Sequence, residues 1–180
     1  MKKNILLDAK QIENIIVRLS HEIIERNKIL DNICIIGIRS RGDIISERIV
    51  NKINKISNNK IKSGHIDVTF YRDDFSSNLG SHEIGPSKIN FDINGQDVIL
   101  IDDVLFTGRT IRAAMDELFS FGRPASIQLG VLVDRGHRQL PIKAIYIGKN
   151  IPTSIDENVR VYIKGIDKKD AVVVIKNKKL

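Results

Sequence analysis

The sequence predicts an α/β protein in which a mostly parallel, twisted sheet is flanked by helices. Three short apolar runs, Ile33 to Ile38, Val98 to Ile101 and Ile127 to Val133, alternate with segments whose isoleucines recur at helical spacing. These runs are nearly continuous in apolar residues, as in strands covered on both faces. Each run is followed by a polar or acidic turn: Arg39-Ser40-Arg41-Gly42, Asp102-Asp103 and Asp134. Strands that alternate with helices close into right-handed βαβ units, so these turns fall at the carboxyl ends of the strands, where such sheets bind ligands.

Asp8, with Gln11 three residues on, forms a capping pair. Ile12, Ile15, Ile16, Leu19 and Ile23 then form one apolar stripe, predicting an amphipathic helix over about residues 9–27. The strand from Ile33 leads through the Arg39–Gly42 turn into a second helical pattern carried by Ile44, Ile45, Ile49 and Ile53. Ile66, Val68 and Phe70 alternate, predicting a strand from His65 to Tyr71. Arg72 to Asn90 is polar and contains Gly80, Gly85 and Pro86, so a mobile loop is expected there. Val98 to Ile101 is a buried-type strand, and a helix follows from about Gly108 to Phe119, stopped by Gly122. Ile127 to Val133 is the third parallel-type strand.

A chain of 180 residues with 42% hydrophobic content can bury one sizeable core, and a single domain over 1–180 is expected. No run approaches the roughly 20 apolar residues of a membrane helix, and the amino terminus lacks a signal-peptide pattern, so a cytoplasmic protein is expected. The one cysteine, Cys34, lies within an apolar strand and reads as a core thiol. A formal charge of +7 favours a polyanionic partner, although lysines near the carboxyl terminus could equally serve solubility.

The segment Val98 to Thr110, VILIDDVLFTGRT, carries the chemistry. Thr107, Gly108, Arg109 and Thr110 offer backbone N–H groups, two hydroxyls and a cation where a helix begins, which suits a phosphate. Gly108 allows close backbone approach. Asp102 and Asp103 repel a phosphate but can accept from ribose hydroxyls or hold a metal's water. A sugar phosphate satisfies both halves.

This stretch resembles the 13-residue phosphoribosyl diphosphate (PRPP) signature of the type I phosphoribosyltransferases. The likeness implies that Asp102, Asp103, Val104, Leu105, Phe106, Thr107, Gly108, Arg109 and Thr110 line the PRPP and UMP site. HEIIERNK (His21 to Lys28), GIRSRG (Gly37 to Gly42), IDVTFYRDD (Ile66 to Asp74) and VLVDRGHRQLPIKAIYIGKNIPTS (Val131 to Ser154) extend the resemblance almost end to end. They are similar to the PyrR family, attenuators of pyrimidine operons that are also uracil phosphoribosyltransferases. The resemblance implies a diphosphate loop at Ser40 and Arg41, and a flexible hood over about 71–90 starting at Tyr71-Arg72-Asp73-Asp74. It also implies a base pocket bounded by Asp134-Arg135, Tyr146-Ile147 and Val159. Arg41 and Arg72 would assist diphosphate departure, with Mg²⁺ carried by PRPP near Asp102 and Asp103 rather than caged by protein. Purine-salvage relatives carry an acid where this chain has Phe106, and PyrR proteins carry Tyr, so uracil is the expected base.

The first helix also places Arg18, His21 and Arg26 on a polar side opposite its isoleucines, suited to RNA phosphates or to plain solvation. In the PyrR family this helix binds an operon-leader mRNA together with the segment holding His137, Arg138, Lys143 and Lys149, under control of UMP and UTP. Val17 replaces a hydroxyl residue of relatives. The family further implies a homodimer or higher homo-oligomer. A salvage enzyme without an RNA role, and a non-catalytic nucleotide-sensing RNA regulator, remain open alternatives.

Overall fold

A computed structural model describes residues 3–68 and 85–176. The chain order is β1 (Lys3–Leu7), α1 (Ala9–Arg26), a 3₁₀ turn (Leu30–Asn32), β2 (Ile33–Ile38), α2 (Gly42–Ser57) and β3 (Lys62–Ile66). It continues with β4 (Asp97–Leu105), α3 (Arg109–Phe119), β5 (Ser126–Asp134), β6 (Tyr146–Asn150), β7 (Glu157–Tyr162) and β8 (Ala171–Lys176).

The capping pair at the start of α1 forms as its spacing requires. Asp8 accepts from the Gln11 N–H at 2.8 Å, and the Gln11 side chain accepts from the Asp8 N–H at 2.9 Å. The apolar stripe of α1 is buried at Ile12, Ile16, Leu19 and Ile23.

Strands β3-β2-β4-β5-β6, in that order, form a parallel sheet. Alternation along β2 divides its side chains between two layers. Ile33 and Ile35 join Ile99 and Ile101 beneath α1 and α2, whereas Cys34, Ile36 and Ile38 join Val98, Leu100 and α3 residues Ile111, Ala114 and Leu118. Both faces are thus covered, which is why the strands read as continuous apolar runs. Fully burying one such isoleucine contributes about 1.5–3 kcal/mol.

The strand order reverses at the centre. From β2 the chain turns through α2 to β3 on one side, then crosses back so that β4 pairs with β2 on its other side. The carboxyl ends of β2 and β4 therefore diverge, and the crevice between them is the natural ligand position.

Two sequence expectations are corrected. The strand expected over His65–Tyr71 is Lys62–Ile66, because pairing with Cys34–Ile38 sets its register. Residues 69–71 lie outside the described ones. The chain also forms a second, antiparallel sheet, β1-β8-β7, which the sequence reading missed. Its Leu7, Val161 and Val172 extend the core beneath α1 and α2. The loop between β7 and β8 docks on α2, where Arg48 grips Asp170 at 2.8 and 3.1 Å.

Candidate active site

β2 ends at Ile38, and the turn Arg39-Ser40-Arg41 leads directly into α2. The Arg39–Ser40 peptide bond is cis. Ser40 Oγ is buried without a hydrogen-bond partner among the described residues, as a group waiting for an external ligand would be. Arg41 is held from one side: its Nε and Nη2 donate to Asp167 Oδ2 and Oδ1 at 3.0 and 3.3 Å. Gly42 sits against β4 so closely that an added Cβ would lie 2.5 Å from Ile101 O and 3.0 Å from Asp102 Cα. The expected diphosphate loop and the acidic pair are thus in backbone contact.

Asp102 and Asp103 are only 3% and 6% exposed. Asp102 Oδ1 accepts from the Asp103 N–H at 2.8 Å, and Asp103 Oδ1 accepts from the Val104 N–H at 2.9 Å. Those local bonds orient both carboxyl groups at the end of the ladder. Leu105 is buried and Val104 half-buried against the core, so these two signature residues are structural supports in their side chains.

The turn after β4 opens α3. Gly108 occupies its N-cap at φ 94°, in the left-handed region, and an added Cβ would press on Ile142 at 3.3 Å. The N-cap glycine offers no side-chain cap and the first turn has no acid, so an anion is the natural complement of the N–H groups there. Thr107 is buried and its Oγ1 accepts from the Arg109 N–H at 3.3 Å. Arg109 donates from Nε to Gln139 Oε1 at 3.0 Å, and Thr110 is half-buried in the first turn.

Phe106 faces a cation. The Arg135 guanidinium carbon lies 3.8 Å from its ring centroid, and the His137 ring meets it edge-on with centroids 6.0 Å apart. Arg135 is buried and donates to Glu157 O at 2.7 Å and Thr153 Oγ1 at 3.3 Å. Burial draws its pKa below the ordinary arginine value, while nearby Glu157 opposes that shift.

Of the expected base-pocket residues, Ile147 and Val159 pack with different hydrophobic layers. Ile147 packs in the α3-side layer, because it lies opposite Val131 across the β5–β6 ladder, whereas Val159 packs against the α1- and α2-side core. Arg135 does reach the site, through Phe106. Arg72 and Tyr71, Asp73 and Asp74 lie outside the described residues. Of the hood expected over about 71–90, residues 85–90 are described. Its end is tied down where the Gly85 N–H donates to Asp67 at 3.0 Å and Lys88 bridges to His65.

On the expected RNA surface, His21 and Arg26 are exposed on α1, and Lys143 and Lys149 are exposed in and before β6. Arg18 leans onto β6, donating to Ile147 O at 3.1 Å and Gly148 O at 2.5 Å while pairing with Glu22. His137 Nε2 contacts Thr153 O at 2.7 Å. Arg138 is turned inward instead: it pairs with Asp134 and donates to the carbonyls of Phe106 (2.7 Å), Leu105 (3.3 Å), Gly136 (3.1 Å) and Ile142 (3.1 Å). Its donors are largely engaged in holding the loop that carries His137. The sequence reading also missed the Phe106–Arg135 stack and the Arg41–Asp167 pair. An aromatic residue just past the strand that carries the acidic pair was the only available signal for the former, and nothing local marked the latter.

The family model for the phosphoribosyl transferase domain matches residues 3–164. Among solved structures, hypoxanthine phosphoribosyl transferase from Trypanosoma cruzi matches with a TM-score of 0.73 at 20% identity, over 96% of this chain and 91% of that one. A hypoxanthine phosphoribosyltransferase from Staphylococcus aureus matches at 0.67 and 24% identity, over 94% and 90%. These likenesses show a type I phosphoribosyltransferase fold. Two curated relatives carry the name bifunctional protein PyrR. The one from Fusobacterium nucleatum is 50% identical over 97% of this chain and 99% of its own, and that from Bacillus subtilis 48% identical over 98% of each. The chain belongs to the PyrR family of phosphoribosyl transferases.

Proposed function

We propose that this chain transfers the phosphoribosyl group of PRPP to uracil, giving UMP and diphosphate, and binds pyrimidine-operon leader mRNA as a transcriptional attenuator regulated by uridine nucleotides. The observation that carries the reading is the buried Asp102–Asp103 pair, set between the Ser40 loop and the uncapped turn at Gly108. Its ligand is a sugar bearing phosphate at both ends. The relatives' shared name, at about half identity over nearly the full chain, supports the dual role.

In the reaction, N1 of uracil forms a bond to ribose C1 as the bond from C1 to diphosphate breaks, and the N1 proton leaves to solvent or a carbonyl. Positive charge develops on the ribose ring, so catalysis is chiefly positioning and electrostatics. Thr107, Gly108, Arg109 and Thr110 bind the 5′-phosphate, Asp102 and Asp103 orient the ribose hydroxyls, and Ser40 and Arg41 receive the diphosphate. Arg72 assists from the hood. Phe106, Arg135, Ile147 and Val159 bound the base. No carboxylate stands at Phe106 to accept a purine proton, which favours uracil.

The paired carboxylates at 102 and 103 suit the water ligands of a divalent ion, and among the described residues no group of three ligating side chains is present. They are the residues that would hold Mg²⁺ arriving with PRPP, which neutralises leaving-group charge when bound. Among the described residues no helix is long and apolar enough to cross a membrane, and cytoplasmic action by one domain over 1–180, assembled as a homodimer or higher oligomer, is part of the same proposal.

RNA would be held along α1 by Arg18, His21 and Arg26 and beside it by His137, Lys143 and Lys149, with Arg138 supporting their loop. Arg18 and Arg26 are two turns apart, about 12 Å along the helix, so they would meet phosphates that are not adjacent on one strand. The test pairs a uracil turnover assay with filter binding of a pyrimidine leader transcript, with and without UMP. Turnover without RNA binding would leave a salvage enzyme, and RNA binding without turnover a nucleotide-sensing regulator.

A further inference from the structure

We propose that Asp167, in the loop between β7 and β8, is a positioning residue that presents Arg41 to the diphosphate of PRPP. The inference rests on the reading of Ser40 and Arg41 as the diphosphate loop. A guanidinium has two faces of donors: the Nε–Nη2 edge and the Nη1–Nη2 edge. In Arg41 the first edge is taken by the Asp167 carboxylate in a two-point fork, at 3.0 and 3.3 Å. Among the described residues nothing engages the second edge, and an arginine that serves a carboxylate on one edge and a phosphate on the other is pre-organised for both.

The carboxylate is itself fixed. Asp167 Oδ2 accepts from the Ile163 N–H at 2.8 Å, and the Asp167 N–H donates to Ile163 O at 2.8 Å, closing a tight loop around it. Arg41 and Asp167 side chains are each 16% exposed, so the long arginine has little room to adopt another rotamer while the pair is intact. The structure also contains its own control. Arg48 and Asp170 form a similar fork that docks the same loop to α2, farther along the helix from the turn at Ser40.

Two effects oppose one another. Removing the Asp167 charge makes the site more positive, which would favour diphosphate. Releasing Arg41 costs the ordering of its side chain on every binding event and misplaces its charge. The fork geometry favours the second, because a confined, correctly aimed guanidinium donates to the ligand at hydrogen-bond range.

The test compares Asp167→Asn, Asp167→Glu and Asp170→Asn with the wild type in three measurements. These are KM for PRPP in uracil transfer, calorimetric affinity for inorganic diphosphate, and calorimetric affinity for UMP. Asp167→Asn is expected to raise the PRPP KM and weaken diphosphate by roughly tenfold, the scale of a charge-assisted hydrogen bond, with UMP affinity unchanged. Asp167→Glu should recover part of the loss. Asp170→Asn should lower the melting temperature without raising the PRPP KM. An unchanged or lowered PRPP KM in Asp167→Asn overturns the proposal, as does an equal KM effect from Asp170→Asn, which would mean loop docking alone matters. If Asp167→Asn does not fold, Asp167→Glu against Asp170→Asn decides on the same criteria. A wild type that binds neither diphosphate nor PRPP would instead defeat the functional reading itself, and this inference with it.

Discussion

Gly42→Ala is expected to damage stability and catalysis together, because it wedges the proposed diphosphate loop away from the acidic pair. The added methyl would lie 2.5 Å from Ile101 O and 3.0 Å from Asp102 Cα. Both are backbone atoms of β4, which is hydrogen-bonded to β2 on one side and β5 on the other. The strand cannot yield, so the start of α2 must lift by about 0.9 Å to reach an ordinary 3.4 Å contact. Overpacking of that kind costs about 3 kcal/mol, and a misplacement near 1 Å between positioning groups costs ~100-fold in rate. Gly95→Ala is the internal comparison: its φ is +68° with nothing within 4 Å, so only the left-handed backbone cost of about 1 kcal/mol applies. With a urea slope near 2 kcal/mol per molar, the midpoints should fall by roughly 1.5 M and roughly 0.5 M respectively. Uracil turnover should drop only for Gly42→Ala. Equal midpoints for the two variants, with kcat/KM preserved at Gly42→Ala, would refute the wedge argument.

The double variant Asp102→Asn with Asp103→Asn should fold and lose roughly 100-fold or more in kcat/KM, the scale of positioned electrostatic groups; unchanged steady-state kinetics would remove the acidic pair from the mechanism. Competition among uracil, hypoxanthine and guanine should favour uracil, and faster transfer to either purine would contradict the role assigned to Phe106. Replacing Arg26 and Lys149 by Gln should flatten the salt dependence of RNA binding by about 1 per lost phosphate contact while turnover persists; an unaltered slope returns both to the solvated surface. Burial pushes the Cys34 thiol up to about 12 from 9.0, so the folded state favours the neutral form. That stabilisation is fully present below about pH 9 and declines as pH rises towards 12. Native protein at pH 8 should therefore resist an aromatic disulfide reagent until urea unfolds it, and rapid native labelling would show Cys34 to be accessible.

Much of the fold was legible because its determinants are local. The Asp8–Gln11 capping pair, the isoleucine stripe of α1 and the uninterrupted apolar run Ile33 to Ile38 are each written within a few consecutive residues, and each forms where expected. The strand, acidic pair and phosphate turn from Val98 to Thr110 are likewise contiguous, so their order alone implied a strand end facing a helix start. The parallel register, the reversal between β2 and β4 and the antiparallel β1-β8-β7 sheet depend on pairings between distant segments, which periodicity does not encode.

The same division runs through the site. Residue types and spacing pointed to a sugar phosphate, since donors, hydroxyls and carboxylates stood together in sequence. Only the tertiary structure decided which way the arginines turn. Arg41 meets Asp167 from 126 positions away, Arg135 places its guanidinium over the Phe106 ring, and Arg138 closes on the backbone around Phe106 rather than facing solvent. A long cationic side chain has many rotamers of similar energy, and its choice is made by whichever carboxylate, carbonyl or ring the fold brings within about 3 to 4 Å. That selection is a property of packing between strands, and it also separates Ile147, in the parallel sheet, from Val159, in the antiparallel one, so that each joins a different core layer.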